Sequence, residues 1–430
     1  MSSSVLVLDL THGGEILAKE YAQRGYKVTA VDVYHTASQD VKNSLIQCGV
    51  EVLNEAPDKS FDLGILPIHC PEKYIGNAKL SKRLTSHEAV GQLASFNFPT
   101  VEITGVWGKT SACHVLAHML VACGKKVLLH TSRGRGIVSS EGTMVLKDKV
   151  SIAPPAVLDA SKLDLDVDIG IFEVSLGGTG LSKISAITSL GNNYPIAAGT
   201  KKAFDGKVQI ISAAKDTVVY PYGESSVWSP YVPAGVKSVT FGGGGDIKLT
   251  LPDKLTLGKQ VPATVETPEG TYEVKLQSSY LVPSYAIAIS TALGCAYALG
   301  LDMDKVVSSL SSFHGVPGRG EVLKEKGWFR VTDRNPGVST GSIAWNLKTL
   351  ETYYSQTDIG VALDPVNAKV CEKLDLDDVN ALLSSDECVT GQYLMNMPGF
   401  ETSGFRRIDG FTDVRGKHDV LMCFTKEGYL

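Results

Sequence analysis

The chain has 430 residues, which is enough for two to four domains that each bury a core, and we expect three. Hydrophobic residues make up 43% and charged residues 20% of the chain, so a disordered or fibrous protein is excluded. The formal net charge of -5, without a long run of one sign, argues against a nucleic-acid partner and favours a small-molecule one.

The cysteines and the apolar segments indicate a cellular location. Eight cysteines are scattered without a CxxC pair, which is typical of reduced thiols. The N-terminus MSSSVLVLDL lacks the basic region of a signal peptide. The most apolar stretch, residues 285–300, is shorter than the roughly 20 residues that cross a bilayer. We therefore expect a soluble, cytoplasmic protein that does not enter a membrane.

The N-terminal segment has the pattern of a Rossmann-like domain. A strand over residues 5–10, a helix over 15–24 and a strand over 27–33 form a βαβ unit, so the fold class is α/β. The first turn departs from G-x-G-x-x-G, although Asp32 ends the second strand where a ribose-binding acid would lie. A dinucleotide site is therefore one interpretation, and a Rossmann-like domain that binds another ligand is favoured. We predict a substrate-binding domain over residues 1–98.

The rest of the chain continues the alternation of strands and helices. Strands over 100–104, 126–129, 168–174, 183–190 and 217–220, with helices between them, predict a mostly parallel sheet in a central domain over 99–318. Alternating residues between 239 and 275 predict a β-hairpin insertion. A Gly/Pro hinge at 315–320 precedes further strands over 328–332, 358–363 and 420–424, so we predict a small Rossmann-like C-terminal domain over 319–430.

A phosphate-binding loop is predicted between the strand at 100–104 and the helix that follows it. Backbone N–H groups of such a loop point at phosphate oxygens, Lys109 would neutralise the β/γ charge, and Thr110 would offer a hydroxyl to Mg²⁺. Ile103 occupies the place of the first glycine of the common motif. The predicted ATP-binding residues are Gly105, Val106, Trp107, Gly108, Lys109, Thr110 and Ser111.

This variant loop resembles that of the Mur ligase superfamily, and further motifs of the superfamily follow in the right order. The resemblance implies three domains of Mur ligase architecture and activation of a carboxylate by ATP as an acyl phosphate. Glu173, in Ile-Phe-Glu-Val-Ser, matches the glutamate that holds Mg²⁺. Lys207, in Gly-Lys-Val-Gln-Ile-Ile, matches a carbamylated lysine that bridges toward a second metal ion.

Other positions match the superfamily in part. Where the superfamily carries Asp-His, this chain has Asn193 and Tyr194, and Asn193 is predicted to contact metal, water or substrate. Arg319 matches the hinge arginine, and Asp333 matches the acid that meets the nucleotide ribose. These matches imply that the third domain closes over ATP.

Within the superfamily, the chain is most similar to the archaeal Mur-like synthetases that complete the nickel tetrapyrrole factor 430. The first turn, Asp-Leu-Thr-His-Gly-Gly, and the short third domain carry this similarity. It implies that ATP phosphorylates a propionate of the nickel seco-tetrapyrrole and that a ring carbon then closes a cyclic ketone. His12, Gly13 and Gly14 would contact the tetrapyrrole carboxylates, and His12 would alternatively contact nickel or have no such role.

Two other functions are compatible with the same motifs. An amide ligase would join an amino acid to a nucleotide-linked or pterin-linked acid. A regulatory module would bind nucleotide without turnover.

Overall fold

The computed structural model describes residues 3–191, 193–365, 374–396 and 404–426. These residues divide into two compact units. The first unit contains the described residues of 1–247 and 290–306, and the second contains those of 248–289 and 307–430. The predicted boundaries at 98/99 and 318/319 stay predictions.

The first unit begins with a parallel sheet. Its strands are β1 (Ser4–Leu8), β2 (Lys27–Val31), β3 (Glu51–Leu53), β4 (Ser60–Leu66) and β5 (Lys79–Thr85). Its helices are α1 (Glu15–Gln23), α2 (Gln39–Gln47) and α3 (Ser86–Leu93). The strands lie in the order β3-β2-β1-β4-β5, and every neighbouring pair is parallel. The predicted βαβ opening is thus present.

Local sequence accounts for these elements. The last four residues of β1, Val-Leu-Val-Leu, are buried, as expected of a parallel strand that is covered on both faces. Helix α3 begins with a capping box, in which the Thr85 hydroxyl accepts from the Glu88 N–H at 3.2 Å and the Glu88 carboxylate accepts from the Thr85 N–H at 2.7 Å. These two bonds satisfy backbone donors that the helix itself leaves without partners.

A larger sheet forms the rest of the first unit. Its strands and an accompanying hairpin are β6 (Thr100–Thr104), β7 (Val127–Thr131), β8 (Gly134–Ser139), β9 (Gly142–Asp148), β10 (Ile169–Glu173), β11 (Ile184–Ile187), β12 (Pro195–Ile196), β13 (Lys201–Lys202), β14 (Thr217–Pro221) and β15 (Lys237–Phe241). The helices are α4 (Lys109–Ala122), α5 (Pro155–Ser161), α6 (Ala203–Ser212) and α7 (Ser225–Trp228). The sheet order is β15-β14-β11-β6-β10-β7-β8-β9, while β12 and β13 pair separately.

In this sheet β15, β14, β11, β6, β10 and β7 are parallel, as predicted, whereas β8 and β9 add an antiparallel hairpin that was not predicted.

The two sheets of the first unit share one hydrophobic core. Val5 of β1, Leu17 of α1 and Leu84 of β5 belong to the same buried cluster as Leu128 and Phe172 of the second sheet. The two sheets are therefore held together by continuous apolar packing.

The second unit contains an antiparallel sheet and a mostly parallel one. The antiparallel strands, at the predicted insertion, are β16 (Lys248–Thr250), β17 (Val261–Thr267) and β18 (Gly270–Leu276). Helices α8 (Val282–Ala298) and α9 (Met303–Ser309) follow, with residues 290–306 in the first unit. The last elements are β19 (Glu321–Lys324), β20 (Phe329–Asn335), α10 (Thr340–Tyr354), β21 (Ile359–Asp364), α11 (Leu376–Ser384), β22 (Val389–Met395), β23 (Arg406–Ile408) and β24 (Val420–Lys426).

The six strands β19 to β24 lie in the order β19-β20-β24-β21-β22-β23, and within this sheet only the β19–β20 pair is antiparallel.

Among the described residues, no helix has both the length and the apolar character that a membrane crossing requires. The cysteines within the described ranges are free thiols.

Candidate active site

The loop between β6 and α4 is shaped by glycines and by the neighbouring strand β11. Gly105 has a φ of +139°, and a Cβ there would lie 1.9 Å from the Thr188 hydroxyl oxygen. That hydroxyl instead donates to the Trp107 carbonyl at 2.5 Å, and the Val106 N–H donates to the Ser189 carbonyl at 3.1 Å. Because glycine alone accepts this backbone without strain, the loop can curl back over the strand end.

The helix after the loop begins at Lys109. The preceding residue, Gly108, has a left-handed backbone with a φ of +78°. Ser111 is buried, and Trp107 keeps 40% of its surface exposed. The first N–H groups of a helix lack partners within the helix and carry its positive end. The predicted loop residues therefore surround a helix start that is suited to phosphate oxygens.

Thr110 and Glu173 are brought together by the sheet. The Thr110 hydroxyl lies 3.0 Å and 2.9 Å from the two carboxylate oxygens of Glu173, and the Ser132 N–H donates to one of them at 3.0 Å. Glu173 ends β10, which pairs with β6 beside the loop, and only 3% of its surface is exposed. The hydroxyl and the carboxylate are hard oxygen donors of the kind that Mg²⁺ prefers, so they fit a magnesium ion beside a phosphate.

Lys207 also contacts the loop. It is carried by α6 and is 1% exposed, and its ammonium group donates to the Gly105 carbonyl at 3.4 Å. Burial, together with the nearby charge of Lys109, lowers the pKa of Lys207 to about 7. A large fraction of this side chain is therefore a neutral amine near neutral pH.

Asn193 and Tyr194 both support the segment that carries Lys207. The Asn193 side-chain carbonyl accepts from the Phe204 N–H at 2.8 Å, in the first turn of α6. The Tyr194 ring lies under the Lys207 nitrogen, with 5.7 Å between the nitrogen and the ring centre. Asn193 thus satisfies a backbone donor at the start of α6, and its contact with metal, water or substrate stays a prediction.

His87 is a buried residue that sequence analysis did not single out. Its Nε2 donates to the Ser175 carbonyl at 2.8 Å, two residues after Glu173, and burial lowers its pKa to about 4. A Cβ at Gly177 would lie 3.1 Å from the same nitrogen and 2.8 Å from the Gly206 carbonyl. Helix α3 thereby contacts the loop that follows Glu173. The Gly-Gly turn at 177–178 was the feature of the sequence that could have indicated this contact, because glycines allow other groups to approach the backbone closely.

Arg319 and Asp333 lie in the second unit. Asp333 is buried on β20, where its carboxylate accepts from Asn335 at 2.7 Å and from Asn346 at 3.3 Å. Burial raises the pKa of Asp333, and the charge of Arg319 opposes that rise. The two predicted nucleotide contacts are therefore electrostatic neighbours within this unit.

A second cluster of polar side chains lies at the carboxyl edge of the first sheet. Asp9 directly follows β1, and its carboxylate oxygen Oδ2 lies 2.6 Å from His12 Nδ1 and 3.2 Å from His69 Nε2. These ligand-type atoms of Asp9, His12 and His69 lie within 4.8 Å of one another. Asp9 and His69 were not predicted, although each follows a parallel strand, and the carboxyl ends of parallel strands meet at one edge.

Gly13 and Gly14, which were predicted to contact substrate, have packing roles. A Cβ at Gly13, where φ is +91°, would lie 2.8 Å from a side-chain carbon of Pro155. A Cβ at Gly14 would lie 2.2 Å from the Asp9 carbonyl oxygen. Glycine is therefore needed at both positions to form the turn, independently of any contact with substrate.

The Asp32 carboxylate is bound by other groups of the protein. Its carboxylate accepts from the Thr36 N–H at 3.1 Å and forms an ion pair with Lys42 at 2.8 Å, and the residue is fully buried. These contacts hold the loop after β2 and support the interpretation that this Rossmann-like domain does not use Asp32 for a dinucleotide ribose.

A cavity of about 260 Å³ opens at the opposite edge of the larger sheet. It is lined by residues that precede β6, β11 and β14, among them Pro99, Lys183 and Asp216. Ligands of open parallel sheets bind outside the carboxyl ends of the strands. The phosphate loop and Glu173, at the carboxyl ends, therefore mark the candidate site in preference to this cavity.

Two curated proteins resemble the chain along most of its length. The coenzyme F(430) synthetase of Methanosarcina acetivorans is 31% identical over 363 residues, which cover 77% of this chain and 76% of that protein. The coenzyme F(430) synthetase of Methanocaldococcus jannaschii is 26% identical over 98% of both chains. No protein-family model matches the chain.

Solved structures of peptidoglycan ligases share the fold. The MurF ligase of Thermotoga maritima in complex with ADP has a TM-score of 0.59 at 17% identity, covering 93% of this chain and 91% of that one. The UDP-N-acetylmuramate-alanine ligase MurC of the same organism has a TM-score of 0.55 at 15% identity, covering 99% and 96%. This likeness confirms the predicted three-domain α/β architecture.

Proposed function

Because this chain belongs to the family of coenzyme F(430) synthetases within the Mur ligase superfamily, we propose that it closes the last carbocyclic ring of a nickel tetrapyrrole. In the first step, a propionate oxygen of the nickel seco-tetrapyrrole attacks the γ-phosphorus of ATP, and ADP leaves. In the second step, a ring carbon loses a proton and attacks the acyl carbon, and phosphate leaves. The product is a cyclic ketone, and no amine takes part.

One arrangement carries this proposal: the phosphate loop, the Thr110–Glu173 pair and Lys207 converge at the carboxyl ends of β6 and β10. Phosphoryl transfer is catalysed mainly by positioning and by electrostatic stabilisation of the transferred group. Lys109 supplies positive charge at the helix start, and this charge also contributes to the lowered pKa of Lys207. These groups would hold the γ-phosphate while the carboxylate attacks in line.

Thr110 and Glu173 would hold Mg²⁺, on the evidence of their oxygen donors. When bound, the ion would neutralise charge on the β- and γ-phosphates. Ser132 fixes the Glu173 carboxylate through its N–H at 3.0 Å. The carboxylate is thus oriented by protein groups of this chain.

Lys207 fits a lysine that takes up CO₂. Its neutral amine nitrogen would attack the carbon of CO₂ and lose a proton, which leaves a carbamate anion beside the phosphate loop. The low pKa, about 7, and the burial of the side chain supply the neutral amine that this addition needs. The carbamate would then be available to a second cation.

Arg319 and Asp333 are proposed as nucleotide contacts on the resemblance of their motifs alone. Asn193 is proposed to act on Lys207 through α6, because it caps the first turn of that helix. His12 and its two following glycines are proposed to meet the tetrapyrrole.

Turnover with defined substrates tests this function. The purified protein is incubated with ATP, Mg²⁺ and the nickel seco-tetrapyrrole, without any amine. We expect ADP and phosphate in equal amounts, together with a product that has lost one water relative to the substrate. Lys109→Ala should abolish both products, whereas Lys125→Ala, at an exposed lysine beyond the same helix, should leave them unchanged.

Strict dependence on glutamate or alanine would contradict ring closure and would favour the amide ligase. Nucleotide binding without turnover of any acid would favour the regulatory module.

A further inference from the structure

The topology of the first sheet marks a ligand crevice at Asp9. From β1 the chain moves to β2 and β3 on one side, and then returns to β4 and β5 on the other side of β1. The reversal lies between β1 and β4, and such a reversal leaves a crevice at the carboxyl ends of the two strands. Asp9 follows β1 and His69 follows β4, so the two residues flank this crevice.

The cluster at the crevice is built around a buried carboxylate. Asp9 is fully buried, and its own Oδ1 accepts from the Thr11 N–H at 2.8 Å. Asp9 also has a positive φ of 71°, which is unusual for a residue other than glycine. Strained backbone of this kind is concentrated at functional sites.

The hydrogen bonds decide which imidazole nitrogens can bind a ligand. With Asp9 ionised, His12 donates from Nδ1 and His69 donates from Nε2 to the same oxygen. In the neutral rings the proton is then on those nitrogens, so His12 Nε2 and His69 Nδ1 carry the lone pairs. A carboxylate that holds one imidazole nitrogen in this way orients the ring and raises the basicity of the other nitrogen toward a metal.

The distances argue against a free ion held among the three residues. Two ligands that share one ion with bonds of about 2.0–2.1 Å are separated by about 2.8–3.4 Å at octahedral or tetrahedral angles. The separation of His12 Nδ1 and Asp9 Oδ2 is 2.6 Å, which is a hydrogen bond. The hydrogen-bonded pair is therefore suited to a metal ion that another molecule already coordinates and that takes one further imidazole ligand.

The surroundings of His12 suit a flat, aromatic ligand. His12 keeps 35% of its side chain exposed, and its ring makes an edge contact with His69 at 4.4 Å between centroids. Tyr34 lies 6.0 Å from His12, and Tyr74 lies 5.5 Å from Tyr34. Four rings thus line one edge of the sheet, and aromatic surfaces of this kind pack against extended π-systems.

The crevice adjoins the phosphoryl-transfer groups. The Ile68 side chain lies 3.3 Å from where a Cβ at Gly206 would be, next to Lys207. The charges of both His69 and Lys207 act on His87. The crevice therefore lies close to α6, the helix that carries Lys207.

We propose that His12 is the axial ligand of the nickel ion carried by the tetrapyrrole substrate, and that Asp9 and His69 are positioning residues that orient its ring. The His12 Nε2 lone pair forms a coordinate bond to nickel, with no change of oxidation state. This ligation rests on the proposed function, because that function supplies a nickel macrocycle as the substrate. It explains why an ATP-dependent enzyme of this fold carries a carboxylate–histidine pair at its substrate edge.

Absorbance spectroscopy tests the ligation, because axial imidazole binding changes the electronic spectrum of a nickel tetrapyrrole. The wild-type protein, with saturating Mg²⁺ and a non-hydrolysable ATP analogue, is titrated with the nickel seco-tetrapyrrole and with its nickel-free form. We expect a spectral change only with the nickel form. His12→Ala should remove that change, and added imidazole should restore it, and the variant should lose more affinity for the nickel form than for the nickel-free form. Asp9→Asn should lower the affinity for the nickel form by about 10- to 100-fold.

His314→Ala, at an exposed histidine of the second unit, is the matched control and should behave as the wild type does. If wild-type protein binds and turns over the nickel substrate but His12→Ala keeps the full spectral change, the ligation is wrong and the proposed function stands. If wild-type protein neither binds nor turns over that substrate, the proposed function itself fails. Tight binding of aqueous Ni²⁺ that is lost in His69→Ala would show a free-ion site and would also overturn the ligation.

Discussion

Lys207 combines deep burial with a neighbouring cation, and both disfavour its charged form. Burial is the larger cause of its lowered pKa, and the charge of Lys109 adds to it. A protonated Lys207 therefore costs stability in the folded protein. The same cost supplies the neutral amine on which the proposed carbamate depends.

This cost predicts a pH dependence of stability. The pKa of Lys207 is about 7 in the folded protein against an ordinary value of 10.5, so between these values the unfolded chain binds the additional proton and stability rises with pH. Between pH 6.5 and 8.5, in CO₂-free buffer, the wild-type free energy of unfolding should gain about 1–2 kcal/mol relative to Lys207→Met. Urea denaturation of both proteins measures the difference. An equal pH dependence in the two proteins would contradict the lowered pKa.

Glu173 yields a prediction about activity. Glu173→Gln keeps the shape of the side chain but removes the charge that is proposed to hold Mg²⁺. We expect turnover to fall by about 10²- to 10³-fold, with a higher requirement for Mg²⁺. Steady-state assays over a range of Mg²⁺ concentrations measure both effects. Glu141→Gln, at an exposed glutamate in the turn between β8 and β9, is the control, and an equal loss in both variants would argue against the metal role.

Single residues were predictable where a motif fixes both position and chemistry. Lys109, Thr110 and Glu173 could be named because a strand end and a helix start set their places. His69 and His87 could not be named, because each acts through a contact with a residue distant in sequence: His69 with Asp9 and His87 with Ser175. Such pairings depend on tertiary packing, which a local pattern does not contain.

At the scale of elements, α6 is the helix whose placement matters most for the site. It presents Lys207 to the phosphate loop, and its start is fixed by the Asn193 side chain through the Phe204 N–H. The loop after Glu173 packs closely against it, since Gly178 leaves room for Ile210. A small displacement of this helix would move Lys207 relative to the nucleotide.

Removing the cap should weaken the helix and the site together. Asn193→Ala leaves the Phe204 N–H without its partner, and we expect a loss of about 1 kcal/mol in the free energy of unfolding. Turnover should also fall, because Lys207 is no longer held in place. Chemical denaturation and activity assays measure the two effects. Asn77→Ala, at an exposed asparagine, is the control; unchanged stability and activity of Asn193→Ala would contradict the capping role.

Elements were predictable where apolar periodicity is strong, as in β1, β6, α4 and β10. The β8–β9 hairpin was missed because β9 is exposed throughout and has no buried face to mark it. The turn over residues 10–14 was recognised as unusual in sequence. Its shape follows from close packing of Gly13 on Pro155 and of Gly14 on Asp9, which only the folded structure shows.

At the scale of the whole molecule, nucleotide binding should stabilise the folded protein. A ligand that binds only the native state adds about 2.7 kcal/mol at 100 times its Kd. We expect ADP with Mg²⁺ to raise the melting temperature of the wild-type protein, and the rise to be much smaller in Lys109→Ala. Differential scanning fluorimetry measures both, with Lys125→Ala as the matched control. An equal rise in Lys109→Ala would place the nucleotide elsewhere.

The order of motifs along the chain made the superfamily recognisable, because several short patterns in one sequence constrain a fold more strongly than any single one. The substrate was less accessible. In our proposal it meets the edge of the first sheet, where Asp9, His12 and His69 come from two separate loops. Their convergence follows from the strand order, which no motif in the sequence states.

Transfer of ¹⁸O tests acyl phosphate formation most directly. The nickel seco-tetrapyrrole is labelled with ¹⁸O in its propionate carboxyl groups and turned over with unlabelled ATP in unlabelled water. If the carboxylate attacks the γ-phosphorus and a ring carbon then displaces phosphate, each phosphate released carries one ¹⁸O atom from the substrate. Phosphate whose new oxygen comes only from water would contradict carboxylate activation.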